Sequence, residues 1–285
     1  MQLIEGKKIA AQMKLELKTR VEAMKKRGIE PGLATILVGE DPASRVYVSN
    51  KIKACQELGI RSFHHPLPAD LTEEEIIALI ENLNADIRVS GILLQLPLPN
   101  KLSADRCVNR ISPLKDIDSL HPFNIGKLCE AKSWNEILER QLFIPCTPYG
   151  VMILLDKYGI EVSGKNAVVI GRSNLGGKPV ATLLLSRNAT VTIAHSRTQD
   201  LPGVCRRADI IVAVIGKPRF VTKDFVKPGA VVIDVGINRT ETGLCGDVDF
   251  DNVKDIAGWI TPVPGGVGAM TITMLMNNTI MAASK

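Results

Sequence analysis

Ser44, Tyr47 and Lys51 recur at i, i+3 and i+7 in the stretch EDPASRVYVSNKIKACQELG, a spacing that lines them along one face of a helix. At about 100° per residue that face also takes Val48, Cys55 and Leu58, while Arg45, Ser49, Asn50, Lys53, Gln56 and Glu57 fall opposite. Lys51 therefore sits at the centre of the apolar side. A lysine that merely lays its stem over apolar surface belongs at the edge of such a stripe; a central one meets a cleft, a partner or a desolvating environment that lowers its pKa. Acid or base work is the chemistry this position suggests, with a structural ion pair as the competing reading. Tyr47 and Lys51 also match the Tyr-x-x-x-Lys pattern of short-chain dehydrogenases. There the pattern follows the glycine loop; here it precedes one by more than a hundred residues, so the match points to a different use of the same helical neighbours.

That loop is VVIGRSNLGGKPVATLLLS, a buried strand running into a glycine-rich turn and a helix, with G-x-S-x-x-G at Gly171, Ser173 and Gly176. Gly171 allows the tight turn, and N–H groups at the start of the next helix can hold a pyrophosphate. Ser173 replaces the usual middle glycine, and a turn that binds nothing is the competing reading. The next strand ends AHSRT, with no acid to accept a hydrogen bond from a ribose 2′-OH. Ser196, Arg197 and Arg172 stand there instead. A 2′-phosphate needs such partners, so the cofactor expected is NADP rather than NAD, unless these arginines are only solvated surface.

The elements that must position these groups follow from the apolar pattern. Strand-length runs at 33–39, 90–99, 166–171, 189–196, 208–216 and 229–236 alternate with segments of helical period. Near-continuous Val/Ile/Leu runs predict strands buried on both faces, hence parallel α/β sheets. Asp41 as N-cap, Pro42 at the first position and Gly59 past the end predict a helix over 42–58. Between 97 and 150 the pattern breaks into proline-rich and polar stretches, which suits a domain junction and its cleft. At 285 residues two domains are expected. With 45% hydrophobic and 23% charged residues the chain is neither disordered nor fibrous. The net charge of +5 comes without a basic tract of the nucleic-acid kind and permits an anionic small ligand. The first residues read as no secretory signal and no apolar run is long enough for a membrane span, so a cytoplasmic protein is expected. The six cysteines are widely separated and read as free thiols, and the four histidines have no ligand spacing, so no metal is expected.

Eight stretches in order, YVSNKIKAC, GILLQLPLP, KDIDSLHPFNIG, IPCTPYG, VVIGRSNLGGKPVA, VIDVGIN, GDVDF and TPVPGGVGAMTITML, resemble the bifunctional methylenetetrahydrofolate dehydrogenase/methenyltetrahydrofolate cyclohydrolase (FolD) family over nearly the whole chain. The resemblance implies a two-domain α/β enzyme of one-carbon metabolism, usually a homodimer. Folate would lie in a cleft between an N-terminal α/β catalytic domain (1–147, completed by the C-terminal helix 267–285) and a Rossmann-type NADP-binding domain with a parallel sheet (148–266). It makes Lys51 the cyclohydrolase residue, Gln95 its orienter, Tyr47 the ring-stacking residue and Asp118 the pterin anchor. Ser44, Leu94 and Leu96 would join them as substrate contacts, and Pro264, Gly265, Gly266, Val267 and Gly268 would form a substrate-facing loop. Gly171, Arg172, Ser173, Ser196, Arg197 and Ile237 would contact the cofactor. Four positions depart from the family pattern: Ser119 replaces glycine, Leu120 an aromatic, Gly176 valine and Ala269 proline. None removes a proposed catalytic group; they bear on affinity rather than on reaction type.

Two other readings of the residues stay open at this level. One is an NADP-dependent dehydrogenase of a small carbonyl or amino-acid-type substrate, with Lys51 as acid or base. The other is a non-catalytic NADP-binding sensor, which requires Lys51 to be exposed on the far side of its helix.

Overall fold

In the computed structural model, which describes residues 1–241 and 243–285, the strands in chain order are β1 (Gln2–Leu3), β2 (Gly32–Val38), β3 (Arg61–Leu67), β4 (Gly91–Leu94), β5 (Asn166–Ile170), β6 (Thr190–Ala194), β7 (Ile210–Ala213), β8 (Val231–Asp234), β9 (Asn238–Thr240), β10 (Gly243–Cys245) and β11 (Trp259–Ile260). They make two parallel sheets and one antiparallel pair, β9 with β10.

The smaller sheet has the order β3-β2-β4. β2 is buried at every position, as its largely apolar run requires of a central strand. Behind one face, Ile76, Ile80 and Leu83 of the Glu73–Ala85 helix pack with Ala34, Ile36, Val38, Ile92 and Leu94. Thr72 and Glu75 close a capping box at that helix's start. The Pro42–Leu58 helix, with Asp41 accepting from the Ser44 N–H and Gly59 left-handed at φ 75°, packs on β2 and β3. β3 is the strand that hydrophobic pattern alone does not find: RSFHHPL is polar and contains Pro66, both tolerable only at a sheet edge.

The larger sheet has the order β1-β11-β8-β7-β5-β6, parallel throughout. β5 lies between β6 and β7, so the winding reverses there, and the crevice outside the carboxyl ends of β5 and β7 is the dinucleotide site of such folds. One expectation fails in detail: β6 is exposed at Thr190, Thr192 and Ile193, because it is the edge strand and not a doubly buried one.

The chain divides into two compact units. The six-stranded unit comprises Met1–Ala11, Cys129–Arg140 and Thr147–Thr271; the three-stranded unit comprises Gln12–Leu128, Gln141–Cys146 and Ile272–Lys285. This differs from the division read from sequence in giving the first eleven residues and 129–140 to the cofactor-type unit. β1 adds itself to β11, and the Trp134 ring meets Tyr149 edge-on with the Arg187 guanidinium over it. The last helix, Val267–Ala282, is itself divided: its residues up to Thr271 fall in that unit, and only those from Ile272 on complete the other. Among the described residues, no helix is long and apolar enough to cross a membrane.

Candidate active site

Lys51 is 8% exposed, on the buried face of its helix with Ser44, Val48, Ala54, Cys55 and Leu58. Its ammonium nitrogen donates to Gln95 Oε1 at 2.8 Å. Gln95 is the first residue beyond β4; its N–H continues the ladder to the Ile36 carbonyl at 2.9 Å, and its side-chain amide donates to the Leu96 carbonyl at 2.6 Å. Leu94 is buried just before it and Leu96 half-buried just after. The Gln95 side chain is thus held at both ends. Tyr47 lies at the rim of the stripe, 37% exposed, and partial burial raises its phenol. The condition for a non-catalytic sensor, an exposed Lys51, is not met.

The segment after β4 brings a carboxylate to the lysine. Ile117 is fully buried against Gly91, where a Cβ would crowd its side chain, and a bridge joins Ile92 to Asp116. Asp116 is structural: its carboxylate accepts the N–H groups of Leu120 (3.2 Å) and His121 (2.8 Å) and the Asn124 amide (2.8 Å). Asp118 acts on Lys51. Burial pulls the Lys51 ammonium below the lysine range, with Asp118 and then Cys146 opposing; burial pushes Asp118 up, opposed by Lys51 and by the thiol and N–H of Cys146. Burial thus favours the neutral form of each, and each favours the charged form of the other.

Ser119 explains itself as a departure. It is fully buried with φ 56°, a left-handed conformation that suits glycine, and its hydroxyl donates to the Phe143 carbonyl at 2.9 Å. Leu120 packs against the apolar cluster around the Glu73–Ala85 helix.

In the six-stranded unit, Gly171 has φ 130° and a Cβ there would collide with the Val214 carbonyl. Register sets Ile170 opposite Ala194, and the Gly171 N–H donates to the Ala194 carbonyl at 2.9 Å. Arg172 and Ser173 thus leave the sheet beside Ser196 and Arg197, and all four are exposed. A Cβ on Gly176 would press on Val214 Cγ2 at 2.6 Å, so the side chain missing at 176 makes room for that valine. The close approach of helix to strand falls to Gly177, whose Cβ would collide with the Gly171 carbonyl. Ile237 sits against Gly268, with 2.9 Å between its Cδ1 and a Cβ built there. The Pro264–Gly268 loop is tied at the Gly265 carbonyl by the Lys7 N–H (2.8 Å). The close backbone packing at Gly171 and the exposed Arg172, Ser173, Ser196 and Arg197 fit a phosphorylated dinucleotide.

Residue types alone missed three groups. Cys146 lies 28 positions from Asp118 and nothing in its spacing announces the contact. Asn278, fully buried in the last helix, donates to the carbonyls of Ile117 (2.8 Å) and Ile144 (2.9 Å), pinning the two segments that carry Asp118 and Cys146. Asp234 and Asp247 form a buried pair, and the signal was Asp234, the acid inside the otherwise apolar VVIDVG run.

Comparison with known proteins agrees across the whole length. The model of the tetrahydrofolate dehydrogenase/cyclohydrolase catalytic domain matches residues 4–118, and that of the tetrahydrofolate dehydrogenase/cyclohydrolase NAD(P)-binding domain matches 145–285. Bifunctional protein FolD of Moorella thermoacetica is 53% identical over 285 residues, 100% of this chain and 99% of that one. The crystal structure of FolD from Campylobacter jejuni is similar with TM-score 0.95 at 47% identity, covering 100% and 99% of the two chains. FolD of Trypanosoma brucei, solved with NADP cofactor and an inhibitor, gives 0.92 at 39% identity over 99% and 97%. Shikimate dehydrogenase 1 of Peptoclostridium difficile, at 14% identity and TM-score 0.54 over 89% and 92%, shares the fold alone. With a lysine–glutamine–aspartate group in one unit, a glycine-rich dinucleotide turn in the other, and relatives matching end to end, the chain belongs to the tetrahydrofolate dehydrogenase/cyclohydrolase family.

Proposed function

We propose that this chain oxidises 5,10-methylenetetrahydrofolate to the 5,10-methenyl cation with NADP and hydrolyses that cation to 10-formyltetrahydrofolate. The observation that carries the reading is the buried Lys51 side-chain nitrogen, held on Gln95, its pKa lowered by burial and raised in part by Asp118. The bound cofactor would accept a hydride from the bridging carbon. That step needs alignment more than a base, because the N5 and N10 lone pairs push electrons as the hydride leaves. Hydrolysis is where the chain's own groups act. Water adds to the bridging carbon, Lys51 takes a proton from it, and the bond from that carbon to N5 breaks with N5 protonated. A neutral amine suits this twice, as a base and as a neighbour that does not repel the cation. Gln95 aims the nitrogen, Asp118 anchors the pterin, and the exposed Tyr47 ring stacks on it. Arg172, Ser173, Ser196 and Arg197 would hold the 2′-phosphate and pyrophosphate of NADP. The same reading takes tetrahydrofolate derivatives as the partners and makes the enzyme a cytoplasmic homodimer, with no nucleic-acid or membrane partner.

The test is optical. With NADP, methenyltetrahydrofolate absorbance rises and then decays as 10-formyltetrahydrofolate forms. In folded Lys51→Met the rise persists and the enzymatic decay is lost; normal cyclohydrolase turnover in that variant refutes the role of Lys51.

A further inference from the structure

A second buried group of acids stands apart from the lysine, at the carboxyl edge of the six-stranded sheet. Asp234 ends β8 and is 3% exposed; Asp247 is fully buried. Asp234 Oδ1 accepts the N–H groups of Gly236 (3.0 Å) and Asp247 (2.9 Å), and Oδ2 that of Val248 (2.9 Å). Burial pushes this carboxyl up to about 7. Asp247 reaches onward to a different loop. Its Oδ2 accepts from Ile215 N–H (2.7 Å) and Gly216 N–H (3.0 Å), and its Oδ1 from Lys217 N–H (2.8 Å) and the Asn238 amide (2.9 Å). Three consecutive backbone N–H groups thus converge on one carboxylate, a nest filled by the chain's own anion. Gly236 and Gly246 are bare because a Cβ on either would collide with Asp247 and Asp234 respectively.

The segment so held matters for its place. It follows β7 directly, and its first residue, Val214, presents the carbonyl against which Gly171 is packed. It therefore lies beside the glycine-rich turn, at the carboxyl ends of the neighbouring strands β5 and β7. The turn faces pyrophosphate and the end of β6 faces the adenosine ribose, so the β7 and β8 side is left for the nicotinamide. Asn238, the fourth donor to Asp247, directly follows Ile237. We propose that Asp247 is a positioning residue for hydride transfer: it fixes Val214–Lys217 and Asn238 as the wall against which the nicotinamide half of NADP is aligned. This rests on the NADP-dependent reading given above.

The experiment uses the full chain with Asp247→Asn, which keeps size but turns one acceptor into an amide facing N–H donors. NADP affinity, read by calorimetry, falls roughly tenfold, as loss of charge-assisted hydrogen bonds implies. Dehydrogenase kcat at saturating NADP falls by a similar factor or more. Affinity for 2′,5′-ADP, which lacks the nicotinamide, stays unchanged, as do cyclohydrolase kcat and KM with methenyltetrahydrofolate supplied directly. Asn238→Ala removes one donor and leaves the carboxylate, so it gives a smaller shift in the same direction and keeps the test open if the aspartate variant fails to fold. The proposal is overturned if 2′,5′-ADP binding or cyclohydrolase falls in parallel, or if NADP affinity and dehydrogenase kcat stay at wild-type values in the folded variants. A wild-type chain that shows no NADP-linked turnover would instead overturn the reading of function on which this rests.

Discussion

Lys51 is held where a charge is costly, and the base role proposed for it draws on that cost. Burial favours the neutral amine and Asp118 favours the ammonium, so the balance between them sets the pH at which the base becomes available. Cyclohydrolase kcat is expected to rise with pH as Lys51 loses its proton, with an inflection below the ordinary lysine value of about 10.4. Asp118→Asn removes the largest influence holding the proton on. Its inflection is expected at lower pH than wild type, together with a raised folate KM, both from kcat and KM measured across pH. An inflection displaced to higher pH, or an unchanged KM and turnover, would remove Asp118 from the site. The same sign applies to stability. A lysine whose folded pKa lies below its unfolded value leaves the fold with fewer bound protons, so this contribution improves as pH climbs through that window toward the unfolded value. At neutral pH the enzyme therefore carries the lysine at some expense in stability.

The elements were legible in sequence to the extent that they are central or punctuated. β2, β5, β7 and β8 are mostly apolar runs, and the Pro42–Leu58 helix begins and ends at its Asp-Pro and Gly signals. β3 was not legible, since an edge strand can hold His64, His65 and Pro66, and β1 and β11 are two residues each, too short for any period. The glycine-rich turn was read one residue short: the GG doublet divides its work, Gly176 clearing Val214 and Gly177 clearing the Gly171 carbonyl. The end of β6 carries no acid, and Ser196 and Arg197 there are exposed. An arginine bonded to a 2′-phosphate is worth about 1.5–3 kcal/mol, or roughly 10- to 100-fold. Arg197→Ala is therefore expected to lower kcat/KM for NADP by about that factor while leaving the value for NAD nearly unchanged. Equal losses with both cofactors, or wild-type kcat/KM greater with NAD, would refute the phosphate assignment.

Over the whole molecule, chain order and unit membership part company. The three-stranded unit is completed by Gln141–Cys146 and Ile272–Lys285, segments that return after long excursions. This is why the lysine site was only partly legible: Lys51 and Gln95 announce themselves by helix face and motif, whereas Cys146 and Asn278 reach Asp118 and its backbone through returns that no local pattern encodes. Met274, Leu275, Met276 and Ile280 are each at most 1% exposed. Removing them forfeits roughly 1.5–3 kcal/mol per side chain, about 6–12 in all. That rivals the entire net stability of a typical domain, about 5–15 kcal/mol. Deleting residues 272–285 also strips the Ile117 and Ile144 carbonyls of their buried Asn278 donor. The truncated chain is expected to lose the cooperative urea transition of the three-stranded unit and all cyclohydrolase turnover, followed by circular dichroism and methenyltetrahydrofolate decay. Retention of both would mean that the last helix is an appendage and that Asp118 is held in place without it.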